Sequence, residues 1–184
     1  LPVLDRESSV QYLDNSDYLS DKNYPHFTLL LQSLASIPVA FCGLSHAKPH
    51  IFFDTTGAPF TYPLASLIFG CKVITYTHYP TISTDMLQLV YERRQTYNNS
   101  RNITNSRIKN LIKLVYYLFF TLLFSLVGQC ASLIMVNSSW TYQHIATLWR
   151  RKTRIHIVYP PCDTKTLAKY PLLKARTNSH SEKE

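Results

Sequence analysis

Apolar runs alternate with polar breaks along the chain, and the lengths of the runs separate strands from helices. Residues 27–41 form an apolar run of helical length that meets Pro38 late, where a helix is expected to falter. Ile51-Phe52-Phe53 is too short for a helix and ends in Asp54-Thr55-Thr56-Gly57, which reads as a buried strand and a polar turn. Residues 62–69 suit a short helix closed by Gly70. Lys72 to Thr77 reads as a second strand, ending at His78-Tyr79-Pro80. A helical pattern spans 85–94, an Asn/Ser/Thr-rich loop 95–106, and a strong helix 107–127, stopped by Gly128. Leu133 to Val136 is a third strand, ending at Asn137-Ser138-Ser139. A helix follows over 141–151, with Ser138 or Ser139 as its N-cap and basic residues at its end. Arg154 to Tyr159 is a fourth strand, stopped by Pro160-Pro161.

Short, continuously apolar strands alternating with helices predict an α/β fold whose parallel sheet is covered on both faces. Ligands of such sheets bind at the carboxyl ends of the strands. Three strands here end in polar clusters, at 54–56, 78–83 and 137–139, and their convergence on one edge is the structural case for a site. Residues 1–17 read as a poorly ordered or incomplete segment, 18–163 as the domain, and 164–184 as a truncated linker or tail. The chain opens at Leu1 without a signal-peptide pattern, which reads as a start that is not the native one.

Between Lys113 and Arg150 no charged residue occurs. A membrane span needs about 20 apolar residues. The apolar helical stretch 114–127, from Leu114 to Val127, is shorter than that before Gly128 and Gln129 break it. Two readings remain level: a core helix with a solvated basic end, or a helix partly sunk in a membrane face. Arg101, Arg107, Lys109 and Lys113 precede it, where cations would meet anionic headgroups.

Composition narrows the classes. The 184 residues suit one domain, and 46% hydrophobic and 13% aromatic residues supply a real core, which excludes global disorder. The net charge of +8 favours anionic partners: nucleic acid, acidic lipid or a diphosphate substrate. Nucleic acid ranks last, because the aromatics lie in apolar runs rather than on a basic face. Cys42, Cys71, Cys130 and Cys162 stand far apart with no C-x-x-C spacing, so neither a metal site nor a disulfide framework is expected. Sequons at Asn98, Asn102 and Asn137 would carry glycans only on a lumenal protein.

The segment C-K-V-I-T-Y-T-H-Y-P-T-I-S-T-D-M-L from Cys71 carries the chemistry. His78, at a strand's carboxyl end, can donate or accept a hydrogen bond near neutral pH. Thr81, Ser83 and Thr84 offer hydroxyls suited to a sugar or phosphate, and Asp85 either caps the next helix or binds a sugar hydroxyl. A turn followed by a capped helix accounts for the same residues without any ligand.

H-Y-P-T-I-S-T-D-M-L from His78 resembles a signature of the dolichol-pathway α-1,2-mannosyltransferases, which use GDP-mannose to add the fourth and fifth mannoses to the lipid-linked oligosaccharide. F-F-D-T-T-G from Phe52, F-T-Y-P-L from Phe60, V-N-S-S-W-T from Val136 and V-Y-P-P-C-D from Val158 are similar to that family too. Several motifs in order are far more specific than one. The resemblance implies a GT-B fold, of which this chain would be the Rossmann-like, acceptor-side N-terminal domain, with the donor-binding domain following Asp163 absent. It implies a retaining transfer without metal or cofactor, GDP-mannose being a substrate. It implies that His78 faces the transferred mannose, that Asp54, Thr55, Tyr79, Thr81, Ser83 and Asp85 line the acceptor side, and that Asn137 and Ser138 lie near the donor phosphates. The implied setting is the cytosolic face of the endoplasmic reticulum membrane, with dolichol-linked oligosaccharide and other dolichol-pathway mannosyltransferases as partners. Ala58-Pro59 departs from the family, which usually has an aromatic residue there. The competing reading is a truncated, non-catalytic module that docks on membrane or on a glycosylation partner.

Overall fold

β-branched and aromatic residues dominate four short runs, and these form one parallel sheet: β1 (Ile51–Asp54), β2 (Lys72–Thr77), β3 (Ala131–Val136) and β4 (Ile155–Ile157), in the order β1-β2-β3-β4. The structure, a computed structural model, describes residues 14–92, 107–164 and Ala168. Ile51 pairs with Lys72, Thr75 with Ile134 and Ile134 with Ile155, with a register shift between Val73 and Ile74. The helices are α1 (Thr28–Ala47), α2 (Thr84–Tyr91), α3 (Arg107–Gly128) and α4 (Ser139–Trp149). The 85–94 helix is therefore described as far as Glu92; its last residues and the 95–106 loop lie outside the described residues. A 3-10 turn, Asp14–Leu19, begins within the segment read as poorly ordered.

The α/β class and the parallel sheet are as expected, but among the described residues only one face of the sheet is well covered. Strands in sequential order with same-sense connections send each connection over the same face. That face carries Val73, Thr75, Thr77, Ala131, Ile134, Val136 and Ile155, all buried. On the other face Ile51 and Phe53 are exposed, and Ile74, Tyr76, Leu133 and Met135 are only half-buried. Continuous apolar composition reads as two-sided burial, whereas the strand order decides which side the helices take.

Two elements between α1 and β2 also differ from expectation. The helix α1 runs through Pro38 to Ala47 rather than ending near residue 41. The Leu34 carbonyl, which a proline leaves without its usual amide partner, belongs to an exposed residue where water can serve it. Residues 59–69 form a 3-10 turn (Pro59–Thr61) and a π-helical turn (Leu64–Ile68), in which the Phe69 amide reaches back to the Leu64 carbonyl. Gly70 closes the segment at φ +67°, a conformation that glycine takes without steric cost.

The core between helices and sheet centres on aromatic rings. Phe124 lies 5.4 Å and Tyr62 6.0 Å from Trp149, while Phe60 stacks on Phe120 at 5.5 Å. A Cβ on Gly128 would come within 2.4 Å of the Trp149 ring, so this glycine allows close packing as well as ending α3. The α3 helix buries Asn110, Tyr117, Phe120 and Phe124 on its inner side. It exposes Ile108, Leu111, Ile112, Val115, Leu118, Phe119, Leu122 and Leu126 on the other. Both α1 and α3 are long and apolar enough to cross a membrane by length and composition alone. The inner row of α3 belongs to the protein core, so lipid cannot surround this helix on all sides. Its outer row is left uncovered by the described residues.

Candidate functional site

Three loops leave the carboxyl edge of the sheet, after β1, β2 and β3, and hydrogen bonds tie them together. The first is built on Asp54, which is 6% exposed. Its Oδ1 accepts hydrogen bonds from the amides of Thr56 (2.8 Å) and Gly57 (3.1 Å) and from the Thr56 hydroxyl (2.8 Å). Its Oδ2 accepts from the Ala58 amide (2.8 Å) and the Tyr62 hydroxyl (2.6 Å). Five donors occupy the two oxygens, so the carboxylate organises the turn from within and leaves Thr55 exposed at the edge. Gly57 takes φ +84° there. Burial, with the Asp54 charge second, pushes the Tyr62 phenol well above its ordinary pKa and keeps it a donor.

The second loop carries His78 and Tyr79, both exposed, while Pro80 and Ile82 turn inward. The Tyr76 ring meets His78 edge-on at 4.8 Å, and Tyr79 stacks on Trp140 at 5.0 Å. The Thr81 hydroxyl reaches the Gly57 carbonyl at 3.5 Å, joining this loop to the first. Ser83 is wholly buried and its Oγ accepts from the Met86 amide at 3.2 Å. Ser83 is thus the N-cap of α2, and Asp85, which the sequence offered for that work, takes another partner: its Oδ2 lies 3.4 Å from Nε2 of His144.

The third loop begins α4. The Ser138 Oγ accepts from the Thr141 amide at 3.2 Å, the cap that the sequence offered as one of two serines. The Thr141 hydroxyl stands 2.7 Å from Asn137 Oδ1 and 3.2 Å from the His78 carbonyl, which joins this loop to the second. Asn137 and Ser138 are therefore half-buried at the start of a helix, where backbone amides favour negative charge.

The sequence candidates accordingly share one edge but differ in access. His78, Thr55, Tyr79 and Asp85 are exposed, Thr81, Asn137 and Ser138 are half-buried, and Asp54 and Ser83 are enclosed. Sequence reasoning overlooked His144. Its Nδ1 lies 2.8 Å from the Thr84 hydroxyl, and its ring packs 4.1 Å from Trp140, so it clamps α4 to the start of α2 beneath the His78 loop. The available signal was the four-residue spacing of Trp140 and His144 at the head of a helix. Among the described residues no group of His, Cys, Asp and Glu could hold a metal ion, and all four cysteines are free.

Comparison with known proteins meets this geometry directly. The family profile described as ALG11 mannosyltransferase N-terminus matches residues 3–149. The chain belongs to this family. Curated relatives named GDP-Man:Man(3)GlcNAc(2)-PP-Dol alpha-1,2-mannosyltransferase match the same part. The human protein is 46% identical over 154 residues, 84% of this chain and 31% of the relative. The Xenopus laevis protein is 42% identical over 173 residues, 94% and 35%, and that of Kluyveromyces lactis 38% over 156 residues, 85% and 26%. The chain thus spans about a third of the length of the curated relatives. No solved structure matches significantly. Membership fits the observed fold, a parallel α/β sheet flanked by helices as in the Rossmann-like first domain of a GT-B glycosyltransferase.

Proposed function

We propose that the full protein transfers mannose from GDP-mannose to the dolichol-diphosphate-linked oligosaccharide, as the names of its relatives describe. The chain described here supplies the acceptor-side wall of the cleft. The observation that carries this reading is the joining of three loops at one sheet edge, through Thr81 to Gly57 and Thr141 to His78, which holds an exposed imidazole in a fixed frame. His78 touches the transferred mannose. Thr55, Tyr79, Thr81 and Asp85 meet acceptor hydroxyls, and Asp54 and Ser83 shape the two turns that present them. Asn137 and Ser138 lie toward the donor phosphates at the head of α4. The transfer retains configuration and uses no metal or cofactor. These 184 residues alone, with one wall of the cleft, do not catalyse it.

The same proposal locates the protein on the cytosolic face of the endoplasmic reticulum membrane. There the outer row of α3, which includes Leu118, Phe119 and Leu122 of the 114–127 stretch, lies in the bilayer interface parallel to its plane. Neighbouring dolichol-pathway mannosyltransferases are partners of that surface. A glycan on Asn102 would reverse this orientation.

The decisive measurement is a transfer assay with full-length protein, GDP-mannose and a dolichol-linked trimannosyl acceptor, wild type against His78→Ala. Loss of a preorganised hydrogen bond to developing charge lowers kcat by about 10²-fold or more. Undiminished transfer by the mutant would remove His78 from the mechanism.

A further inference from the structure

A groove of about 870 Å³ lies between the chain entering α1 and the first turns of α3. His26, Phe27, Lys109, Ile112, Lys113 and Tyr116 line it, and among the described residues Asp21 is the only acidic one in its lining. Two physical features mark it. Phe27 holds a left-handed backbone (φ 55°), unfavourable for an aromatic residue, and its ring meets Tyr116 edge-on at 5.1 Å. The Tyr116 hydroxyl in turn accepts from the Leu30 amide at 3.1 Å, which fixes the head of α1 to α3. Lys113 lies with its Nζ 5.4 Å from the Tyr117 ring, and partial burial lowers its pKa.

The position of the groove says what kind of anion fits. Each of α1 and α3 runs directly into a strand, so the heads of both helices stand at the carboxyl edge of the sheet, the edge that bears His78. Met86, from the first turn of the helix that follows the His78 loop, also lines the groove. The two helices that form it each expose an apolar row, Phe27, Leu31, Leu34 and Phe41 at the head of and along α1 and a row that includes Ile108, Ile112 and Val115 along α3, and Phe27 and Ile112 of these rows line the groove itself. Cations at the head of apolar rows are the complement of an amphiphile with an anionic head.

We propose that this groove seats the phosphate or diphosphate headgroup of a membrane-embedded lipid, with Lys109 and Lys113 as its cations and its hydrocarbon in the bilayer met by α1 and α3. Under the function proposed above, on which this inference rests, that headgroup is the diphosphate of the acceptor, held beside the loop that receives its sugar end. The α1 row then becomes a second contact with the membrane, and the groove sets how the acceptor chain enters the cleft.

The test is sedimentation of the chain with sucrose-loaded vesicles of phosphatidylcholine, with and without a few per cent polyprenyl diphosphate. Phosphatidylserine matched for charge provides a further arm. The diphosphate lipid should raise binding above both other vesicles. Each lysine at a membrane surface is worth about 1 kcal/mol, so Lys109→Gln/Lys113→Gln should erase roughly thirtyfold of that increment. The same pair should leave binding to pure phosphatidylcholine unchanged. Lys72→Gln, at the far end of β2, should bind as wild type, and Lys109→Arg/Lys113→Arg should keep most of the increment and serve if the glutamine pair unfolds. Equal binding to diphosphate lipid and phosphatidylserine would overturn the proposal, as would an increment indifferent to the lysine pair. Displacement by millimolar inorganic diphosphate would reassign the groove to a free anion. Because the readout is binding, it separates from transfer. A lysine-dependent increment without mannose transfer rejects the activity and keeps the groove, and transfer without the increment does the reverse.

Discussion

The helices α3 and α4 pack on the same face of one sheet and share a boundary at Trp149, yet their outer sides differ completely. The exposed positions of α4 are Ser139, Trp140, Gln143, Thr147 and the following Arg150, with Trp140 the one large apolar residue among them, while those of α3 after Lys109 are isoleucine, leucine, valine and phenylalanine. Their inner sides are alike: Ile145, Leu148 and Trp149 from one, Tyr117, Phe120 and Phe124 from the other. Sheet packing therefore accounts for one row of α3 and for nothing on its other side. Exposed apolar patches of that extent mark an interaction surface in a folded protein. The contrast makes α4 an ordinary amphipathic helix and leaves α3 with an apolar row that the described residues do not cover, the row that the proposed function gives to the membrane.

The most severe way to break the contrast is at the shared boundary. Trp149→Ala removes the ring that Tyr62, Phe124 and Gly128 all approach, and should cost about 3–5 kcal/mol in urea unfolding. A loss below about 1 kcal/mol would mean that the two helices do not share a core. Asp54→Ala comes next, at about 3 kcal/mol, because it strands the three turn amides that its oxygens accept from and the Tyr62 hydroxyl. This site lies at the opposite extreme from the α3 surface, with charge at its centre and five donors around it.

The outer row of α3 should answer differently. Leu118→Ser/Leu122→Ser removes two half-exposed side chains, so the urea midpoint should shift little. Binding to phosphatidylcholine vesicles should fall about thirtyfold, at roughly 1 kcal/mol for each lost leucine. A large fall in stability with unchanged vesicle binding would turn α3 into a core helix and erase its difference from α4.

How much of this was legible in the sequence follows from the range of each interaction. β2 was read residue for residue, and α3 to within one residue of its end, because apolar run length and Gly128 are local signals. Ser138 was legible as a cap for the same reason. Which side of α3 faces the core was not, since a helix apolar on all sides carries no phase to read. The candidate site divides along the same line. His78 at a strand end, and the motifs that place the chain in its family, are contiguous residues. The enclosure of Asp54 depends on Tyr62 across a turn, and the partner of Asp85 is His144, far along the chain. A carboxylate that binds a ligand and one that holds its own loop have the same sequence, and only the donors around them tell them apart.

Alkaline pH offers a milder comparison of the two rows. Tyr62, Tyr116 and Tyr117 all have pKa values raised, with burial as the first cause. In the unfolded chain these phenols ionise near pH 10, while in the folded chain they stay neutral to higher pH. Their contribution is therefore intact below about pH 10 and is lost as pH rises from there through the folded pKa values, by up to about 1.4 kcal/mol per unit for the enclosed Tyr62 and by less for Tyr116 and Tyr117, which solvent screens. Tyr62→Phe should lose its bond to Asp54 at all pH values and flatten the decline above pH 10. An unchanged slope in urea unfolding measured from pH 9 to 11 would show that Tyr62 ionises as freely when folded.

The smallest expected effect tests the inner face itself. Thr75 lies in the middle of β2, fully buried, and its hydroxyl has no hydrogen-bond partner among the described residues. The backbone gains nothing from that oxygen, and burying it unpaired costs about 1 kcal/mol or more. Thr75→Val replaces the hydroxyl by a methyl group of similar size in a strand that favours β-branched residues, so it should raise stability by about 1 kcal/mol. Vesicle binding should not change, because position 75 faces the helices inside the core and not the exposed row of α3. A gain confined to stability would complete the separation between the sheet-facing row, where polarity is a cost, and the outer row of α3, whose apolar side chains the described residues leave uncovered.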